Sequence, residues 1–161
     1  MAEPTIRIRF AEPKDEAQIV ALMPRLHAFP IHERRRSGDL WEGDARLAVQ
    51  HLAGAAPHVF LYVADATPVA EQSTIAGLAL VSMQEEFMSH EPGSHLEALL
   101  VADGYEGLGL GTRLLAAAEE EARSRGAGSM TLHVFNTNER AAALYRRREY
   151  EFEVQRCIKW F

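Results

Sequence analysis

Two features of the chain predict a single mixed α/β domain. Apolar strand-like runs alternate with amphipathic helical stretches along all 161 residues, and the second half strings strand, glycine-rich turn, helix, strand and helix in close succession. A helix crossing between two strands makes those strands parallel, so the sheet is mixed. The expected order is β-α-α-β-β-β-α-β-α-β over residues 1–161. No repeats, linkers or low-complexity tracts divide it.

The elements follow in order. Ile6 to Phe10 alternates apolar and charged residues, as a strand with one wet face does. Asp15 is placed to cap a helix carrying Ile19, Val20, Leu22, Met23 and Leu26 on one stripe, and Pro24 bends it or ends it early. From His27 to Gly43 the chain is irregular and strongly charged. Asp44 to Leu52 is a second helix, ended by Gly54 to Pro57. Val59–Ala64 and Thr74–Met83 are strands joined by a polar connection, Asp65 to Ser73. A charged hairpin connection, Glu85 to Gly93, leads to a strand from His95 to Val101. The helix Thr112–Arg125 has Leu114, Leu115, Ala118 and Ala122 on one side and the pairs Glu119/Arg123 and Glu121/Arg125 on the other. Gly126 and Gly128 stop it. Met130–Phe135 is a strand, Asn138–Arg148 the last helix, and Glu153–Trp160 a closing strand.

Composition narrows the function classes. A formal net charge of −6 argues against a general attraction to nucleic acid. It suits a cationic or amine substrate, and it suits plain solubility equally. The lone Cys157 excludes an internal disulfide and a cysteine zinc site. No apolar run approaches the roughly 18 residues of a membrane span, and the start does not resemble a signal peptide, so a cytoplasmic protein is expected.

The most informative segment is Tyr105-Glu106-Gly107-Leu108-Gly109-Leu110-Gly111-Thr112, between a strand and a helix. Glycines at such a turn leave backbone N–H groups uncovered at the positive end of the helix, which is an anion cradle. The spacing does not match a dinucleotide fingerprint, because the third glycine comes one position early and no acid follows at the right distance. Nor does it match a Walker loop, since no lysine follows Gly111.

The second informative segment is Asn136 to Tyr145. Together the two resemble the GNAT superfamily of N-acetyltransferases, most strongly from about Ser94 to Tyr150. Gly109 and Gly111 match the family's Q/R-x-x-G-x-G/A loop. Asn138, Ala141, Leu144 and Tyr145 match its N-x-x-A-x-x-L-Y segment. The resemblance implies acetyl-CoA as acyl donor, its pyrophosphate held by the N–H groups of Leu108, Gly109, Leu110, Gly111 and Thr112, with the side chains of Thr112 and Arg113 as added donors. It implies a cofactor contact from Asn138, and a polarising main-chain N–H among Leu99, Leu100 and Val101, where the family's strand bulges. Tyr145 would be the general acid for the leaving thiolate. Asparagine in this place is also a common helix cap, so one of Asn136 and Asn138 has that role as an alternative.

The acceptor side is less defined. Glu97 interrupts an apolar strand, and period-two alternation puts it on one face with His95, Leu99 and Val101. Some members of the family carry a glutamate there in the active site. Glu97 is the candidate base or amine anchor, with His95 as the alternative base. Glu33, Asp39, Glu42, Asp44, Glu85 and Glu86 lie in or beside the irregular stretches that wall the family's acceptor site, where most are expected to be solvated. Arg34, Arg35 and Arg36 are surface charge, or a cluster for an anionic group of the acceptor or the donor.

Two positions depart from the family's pattern. Its loop opens with arginine or glutamine where this chain has Glu106, a carboxylate expected to repel a pyrophosphate. Glu149-Tyr150 stands where the family has glycine-phenylalanine. The expected activity is acetyl transfer from acetyl-CoA to a primary amine of a small molecule or peptide, by direct attack in a ternary complex. The alternative is a non-catalytic acyl-CoA-binding or sensing module of the same fold. No metal, nucleic acid or membrane partner is expected, and the closing segment Lys159-Trp160-Phe161 leaves a homodimer open.

Overall fold

A computed structural model describes residues 5–66 and 74–161. The strands are β1 (Arg7–Phe10), β2 (Val59–Asp65), β3 (Ile75–Glu85), β4 (Pro92–Val101) and β5 (Met130–Leu132). The helices are α1 (Glu16–Leu22), α2 (Glu42–Leu52), α3 (Leu110–Ser124) and α4 (Glu139–Arg147). The five strands form one sheet in the order β1-β2-β3-β4-β5. The first three pairings are antiparallel and β4–β5 is parallel, as the crossing helix α3 demands. No helix among the described residues is long and apolar enough to cross a membrane.

Alternation along the central strands feeds two cores. Val59, Leu61 and Val63 of β2 join Leu78 and Leu80 of β3 against Ile19, Met23, Ala45 and Ala48 of the α1–α2 side. Phe60, Ala79, Val81 and Leu96 face the other way, against Leu110, Leu114, Leu115 and Ala118 of α3 and Tyr145 of α4. A sheet covered on both faces explains why β2 and β3 are apolar throughout rather than alternating. Gly77 has no room for a side chain: a Cβ there would lie 2.7 Å from the Leu100 carbonyl oxygen.

Several expectations are refined. Proline at position 24 ends α1, and Met23–His27 continues as a tighter 3-10 turn. Asp15 uses its carboxylate to accept from the Glu12 N–H at 2.8 Å and from Arg9 at 2.7 Å, closing the turn before α1. Arg9 also reaches Asp65 at 2.7 Å, so this buried trio fastens β1 and β2 to α1. At the end of α3 Glu121 pairs with the C-cap Arg125 at 2.7 Å, whereas Arg123 turns to Glu120 and Glu119 is taken by Arg148, the C-cap of α4. The connection expected from Asp65 to Ser73 falls largely outside the described residues. The expected closing strand is absent from the sheet: 151–161 is an exposed, irregular tail. Its side chains pack on the 29–36 segment instead, with His32 stacked on Trp160 and Arg34 donating to the Phe161 carbonyl at 3.0 Å.

Candidate active site

The donor side is built by the parting of two strands. β4 and β5 pair only from Ser94 to Leu96 against Met130 to Leu132. Beyond Leu96, β4 keeps β3 as its neighbour but runs on without β5 toward the glycine turn. Ala102 donates to Ala76 of β3 at 2.8 Å, so by strand alternation Leu100 also spends its backbone on β3. The N–H groups of Leu99 and Val101 therefore point into the gap. Leu100 is buried in the α1–α2 core, which leaves Leu99 and Val101 as the donors on this edge.

The glycine turn ends at the mouth of this gap. Gly107 and Gly109 have φ of 78° and 72°, a left-handed backbone that other residues rarely adopt. Gly109 is the N-cap of α3, and no side chain caps the helix. The first helical bond runs from the Arg113 N–H to the Gly109 carbonyl at 3.0 Å. The N–H groups of Leu110, Gly111 and Thr112 are thus left without helical partners, at the positive end of a fifteen-residue helix. Leu108 is exposed beside them. Thr112 is also exposed, but the Arg113 guanidinium is committed elsewhere, donating to the Ile6 carbonyl at 2.7 Å. A diphosphate suits this cradle, which offers backbone donors and little side-chain bulk.

Glu106 does not face the cradle as a free carboxylate. Arg25, from the turn after α1, donates to it at 2.7 Å, and the Gly104 N–H donates to its other oxygen at 2.9 Å. Backbone N–H groups of Glu106 itself and of Gly104, together with Arg25, hold its pKa below the ordinary value. Neither Arg25 nor this pairing was visible in the sequence, because the partners lie 81 positions apart.

Across the gap stands α4. Its N-cap is Asn138, whose side-chain oxygen accepts from the Ala141 N–H at 3.2 Å, so capping is its observed role and the amide nitrogen is what remains for a ligand. Asn136 lies exposed in the preceding turn. Tyr145 is 7% exposed among α3 and α4 side chains, with its ring 5.7 Å from that of Tyr150. Burial pushes its hydroxyl up to about 12, so it keeps its proton at neutral pH.

The acceptor side turns on a β-bulge. Leu80 pairs with Ala98 and Val81 with Leu96, which leaves Glu97 as an extra residue in β4. The expected face of His95, Glu97, Leu99 and Val101 is therefore broken. Leu99 and Val101 pack toward α3, while Ala98 and Leu100 pack toward α1 and α2. His95 pairs with Ser82, and the Ser82 hydroxyl donates to Glu97, which places His95 and Glu97 together on the α2 side. The bulge also lies earlier than the expected Leu99–Val101.

His95 and Glu97 belong to a polar group. The His95 Nδ1 lies 2.7 Å from the Thr131 hydroxyl, which in turn donates to the Ser94 carbonyl at 3.3 Å. That chain assigns the His95 proton to Nδ1 and leaves Nε2 with its lone pair. The His133 ring is 4.8 Å away. Burial first, and His133 second, lower the His95 pKa against the pull of Glu97, so the ring is neutral at pH 7.

Asp44, in the first turn of α2, is the member that sequence reasoning left among the solvated acids. It is half-buried and makes no ion pair among the described residues. Burial and the neighbouring charge of Glu97 push its carboxyl up to about 7. The one signal available in sequence was its place next to Ala45 and Ala48, the buried stripe of α2.

An aromatic cluster joins the 29–36 segment to Phe135 and the tail. Phe29 and Phe135 lie 5.3 Å apart, and the Arg35 guanidinium sits over Phe135 at 5.7 Å and over Trp160 at 5.3 Å. With Arg34 on Phe161 and Arg36 paired to Asp39 at 3.0 Å, each of the three arginines already has a protein contact.

Comparison with known proteins agrees with this layout. The model of the acetyltransferase (GNAT) family matches residues 26–150. A streptothricin acetyltransferase of Streptomyces lavendulae is 36% identical over 84 residues, 52% of this chain and 42% of that protein, so the match spans less than half of the relative. Among solved structures, the aminoglycoside N-acetyltransferase AAC(6')-Iy, bound to a bisubstrate analogue joining CoA to an acetylneamine, superposes with a TM-score of 0.68 at 19% identity over 97% of both chains. A ribosomal-protein-alanine N-acetyltransferase from Brucella melitensis biovar Abortus superposes with a TM-score of 0.68 at 13% identity, over 98% of this chain and 100% of that one. These neighbours show the fold. With most of the chain under the family model, and the parted strands and open helix end under the same stretch, this protein belongs to the acetyltransferase (GNAT) family.

Proposed function

We propose that the protein transfers the acetyl group of acetyl-CoA to a primary amine by direct attack in a ternary complex. The observation that carries this reading is the uncapped N-terminus of α3 beside the open edge of β4, with Glu97 delivered by the bulge to the opposite face of the same strand. Donor and acceptor would then meet at one strand from its two sides.

Each step has a group in this chain. The N–H groups of Leu108 to Thr112 hold the diphosphate of the donor, and Asn138 contributes its amide. The N–H of Leu99 or Val101 polarises the thioester oxygen. Glu97 anchors the acceptor's amine and takes one proton from it, with Asp44 as the second carboxylate of the pair and His95 Nε2 as the alternative base. The amine nitrogen bonds to the acetyl carbon as the carbon–sulfur bond breaks. Tyr145 gives its proton to the departing thiolate, which its raised pKa keeps available. The products are an acetylated amine and free CoA thiol; the carboxylate passes its proton to solvent and Tyr145 regains one from solvent, so a neutral amine reacts with no net change in protons.

The acetyltransferases of streptothricin and of aminoglycosides among its relatives make aminated small molecules the first acceptors to test. The alternative, a non-catalytic acyl-CoA-binding module, drew its support from Glu106, and the Arg25 pairing offsets that carboxylate. Thiol release from acetyl-CoA, followed against a panel of small amines and peptides, tests the reading. Binding of acetyl-CoA without turnover on any amine would favour the module, and no binding at millimolar donor would reject both.

A further inference from the structure

Arg25 holds three acceptors that no other residue brings together. Its Nε donates to the Val101 carbonyl at 2.6 Å, one terminal nitrogen to Glu106 at 2.7 Å, and the other to Asp103. The contacts are not equal. Asp103 is 90% exposed, so that pair is solvent-screened, whereas the side chains of Arg25 and Glu106 are 23% and 30% exposed. The effective clamp therefore joins the turn after α1, the last residue of β4 and the start of the glycine turn.

That clamp addresses the chain's own departure from its family's pattern. A carboxylate at position 106 stands at the entrance of an anion cradle, where its charge opposes a diphosphate. Arg25 reaches it from a distant segment and supplies a cation at that entrance. Its grip on the Val101 carbonyl occupies one acceptor of the β4 edge while the Val101 N–H stays turned to the gap. With three of its five N–H donors used, two remain for a ligand.

Resting on the acetyl-CoA reading above, we infer that Arg25 is a positioning residue of the donor site, neutralising Glu106 and fixing the end of β4 against the glycine turn so that the cradle accepts a diphosphate. Its effect is specific to the phosphate-bearing part of the donor and runs through Glu106.

Titration calorimetry on four proteins tests this: wild type, Arg25→Gln, Glu106→Gln and the double variant. Each is titrated with CoA and with S-acetylpantetheine, which lacks the diphosphate. Arg25→Gln should weaken CoA about tenfold at low salt, through loss of a cation and exposure of a like charge, and the defect should shrink as salt rises. S-acetylpantetheine should change by about twofold or less. Removing the stranded carboxylate in the double variant should recover about threefold of the lost CoA affinity, a non-additivity expected only if the two residues act together. Equal losses for both donors, or strictly additive single effects, would reduce Arg25 to a structural fastener and overturn the inference. If Arg25→Gln does not fold, Arg25→Lys carries the test. It keeps the charge but cannot span both Val101 and Glu106, so CoA should weaken by about threefold and S-acetylpantetheine less. Unchanged CoA affinity in that variant would also overturn the inference. Wild-type protein that does not bind CoA rejects the function itself, whereas wild-type binding with an unaffected Arg25 variant rejects only the role of Arg25.

Discussion

Asp44→Asn separates stability from function at one atom. In the unfolded chain the carboxyl ionises near its ordinary value of 3.8, and in the folded protein near 7, because of burial and then the charge of Glu97. Between those values the folded protein holds a proton that the unfolded chain has lost, so stability falls as pH rises and levels off above about 7. Three decades of proton affinity correspond to about 4 kcal/mol at most. Asp44 keeps partial access to water, which screens part of this, so about 2 kcal/mol is the expected size. An uncharged isostere removes the penalty. Asp44→Asn should therefore match wild type near pH 4 and become more stable as pH rises, with the gain flat above pH 7. For a domain of this length that is a rise in Tm of about 4–8 °C at pH 8.

The same variant should lose activity. If Asp44 and Glu97 share the proton taken from the amine, its loss should lower kcat/KM for the amine about tenfold, less than the roughly hundredfold of a sole proton-transfer group because Glu97 remains. Donor affinity should hold, since Asp44 lies on the α2 side of β4 and the cradle beyond its other face. Thermal melts from pH 4 to 9 and steady-state rates over the same range check both halves. A stability gain independent of pH would refute the buried-carboxylate argument. A gain of the expected form with unchanged kcat/KM would leave Asp44 buried but idle.

Other outcomes are as specific. Tyr145→Phe keeps the ring and removes the proposed acid, so kcat should fall about 10²-fold with CoA affinity within a factor of two; unchanged kcat would return Tyr145 to a packing role. Glu97→Gln keeps an acceptor for the Ser82 hydroxyl but removes the charge, so kcat/KM should fall and the acidic limb of the pH profile should change; a wild-type profile would move the role to His95 or to water. Removing that charge should also ease the ionisation of Asp44, which a weaker pH dependence of stability would reveal. Gly77→Ala presses a methyl against the Leu100 carbonyl at 2.7 Å, and a cost of about 1–3 kcal/mol in chemical denaturation checks it.

What was legible in the sequence was local. The cradle could be read because glycine is the residue that tolerates the left-handed turn at positions 107 and 109, and the helix that follows begins within a few residues of it. The parallel strand pair followed from the crossing helix. What was hidden depended on distance along the chain. Arg25 meets Val101 and Glu106 across 76 and 81 positions, and no periodicity announces such a meeting. Asp44 looked like any acid at the start of a helix, where acids are common, and only the packing of α2 onto the sheet withdraws it from water. The tail from 151 fails as a strand although its sequence alternates. It packs its aromatic end onto the 29–36 segment, while Phe152, Val154 and Ile158 remain exposed.

The bulge at Glu97 explains why alternation misled most where the chemistry is richest. Strict period two would hold Glu97, Leu99 and Val101 on one face, so a base on that strand would share its side with the packing against α3. One extra residue between Leu96 and Ala98 reverses the phase. Glu97 then points toward Asp44 and α2, while Leu99 and Val101 turn their side chains to α3 and their N–H groups to the gap. A single irregularity thus gives one strand an acidic face for an amine and a backbone edge for an acyl donor. Deleting Glu97 would test this directly. It would restore regular pairing with Leu96 still opposite Val81 and Ala98 still opposite Leu80, so Leu99 and Val101 keep their faces and the donor should still bind while the acceptor loses its carboxylate. Glu97→Gln, which keeps the bulge, should spare the donor. Donor affinity lost in the deletion as well would mean that the bulge itself, and not only the register beyond it, shapes the donor edge.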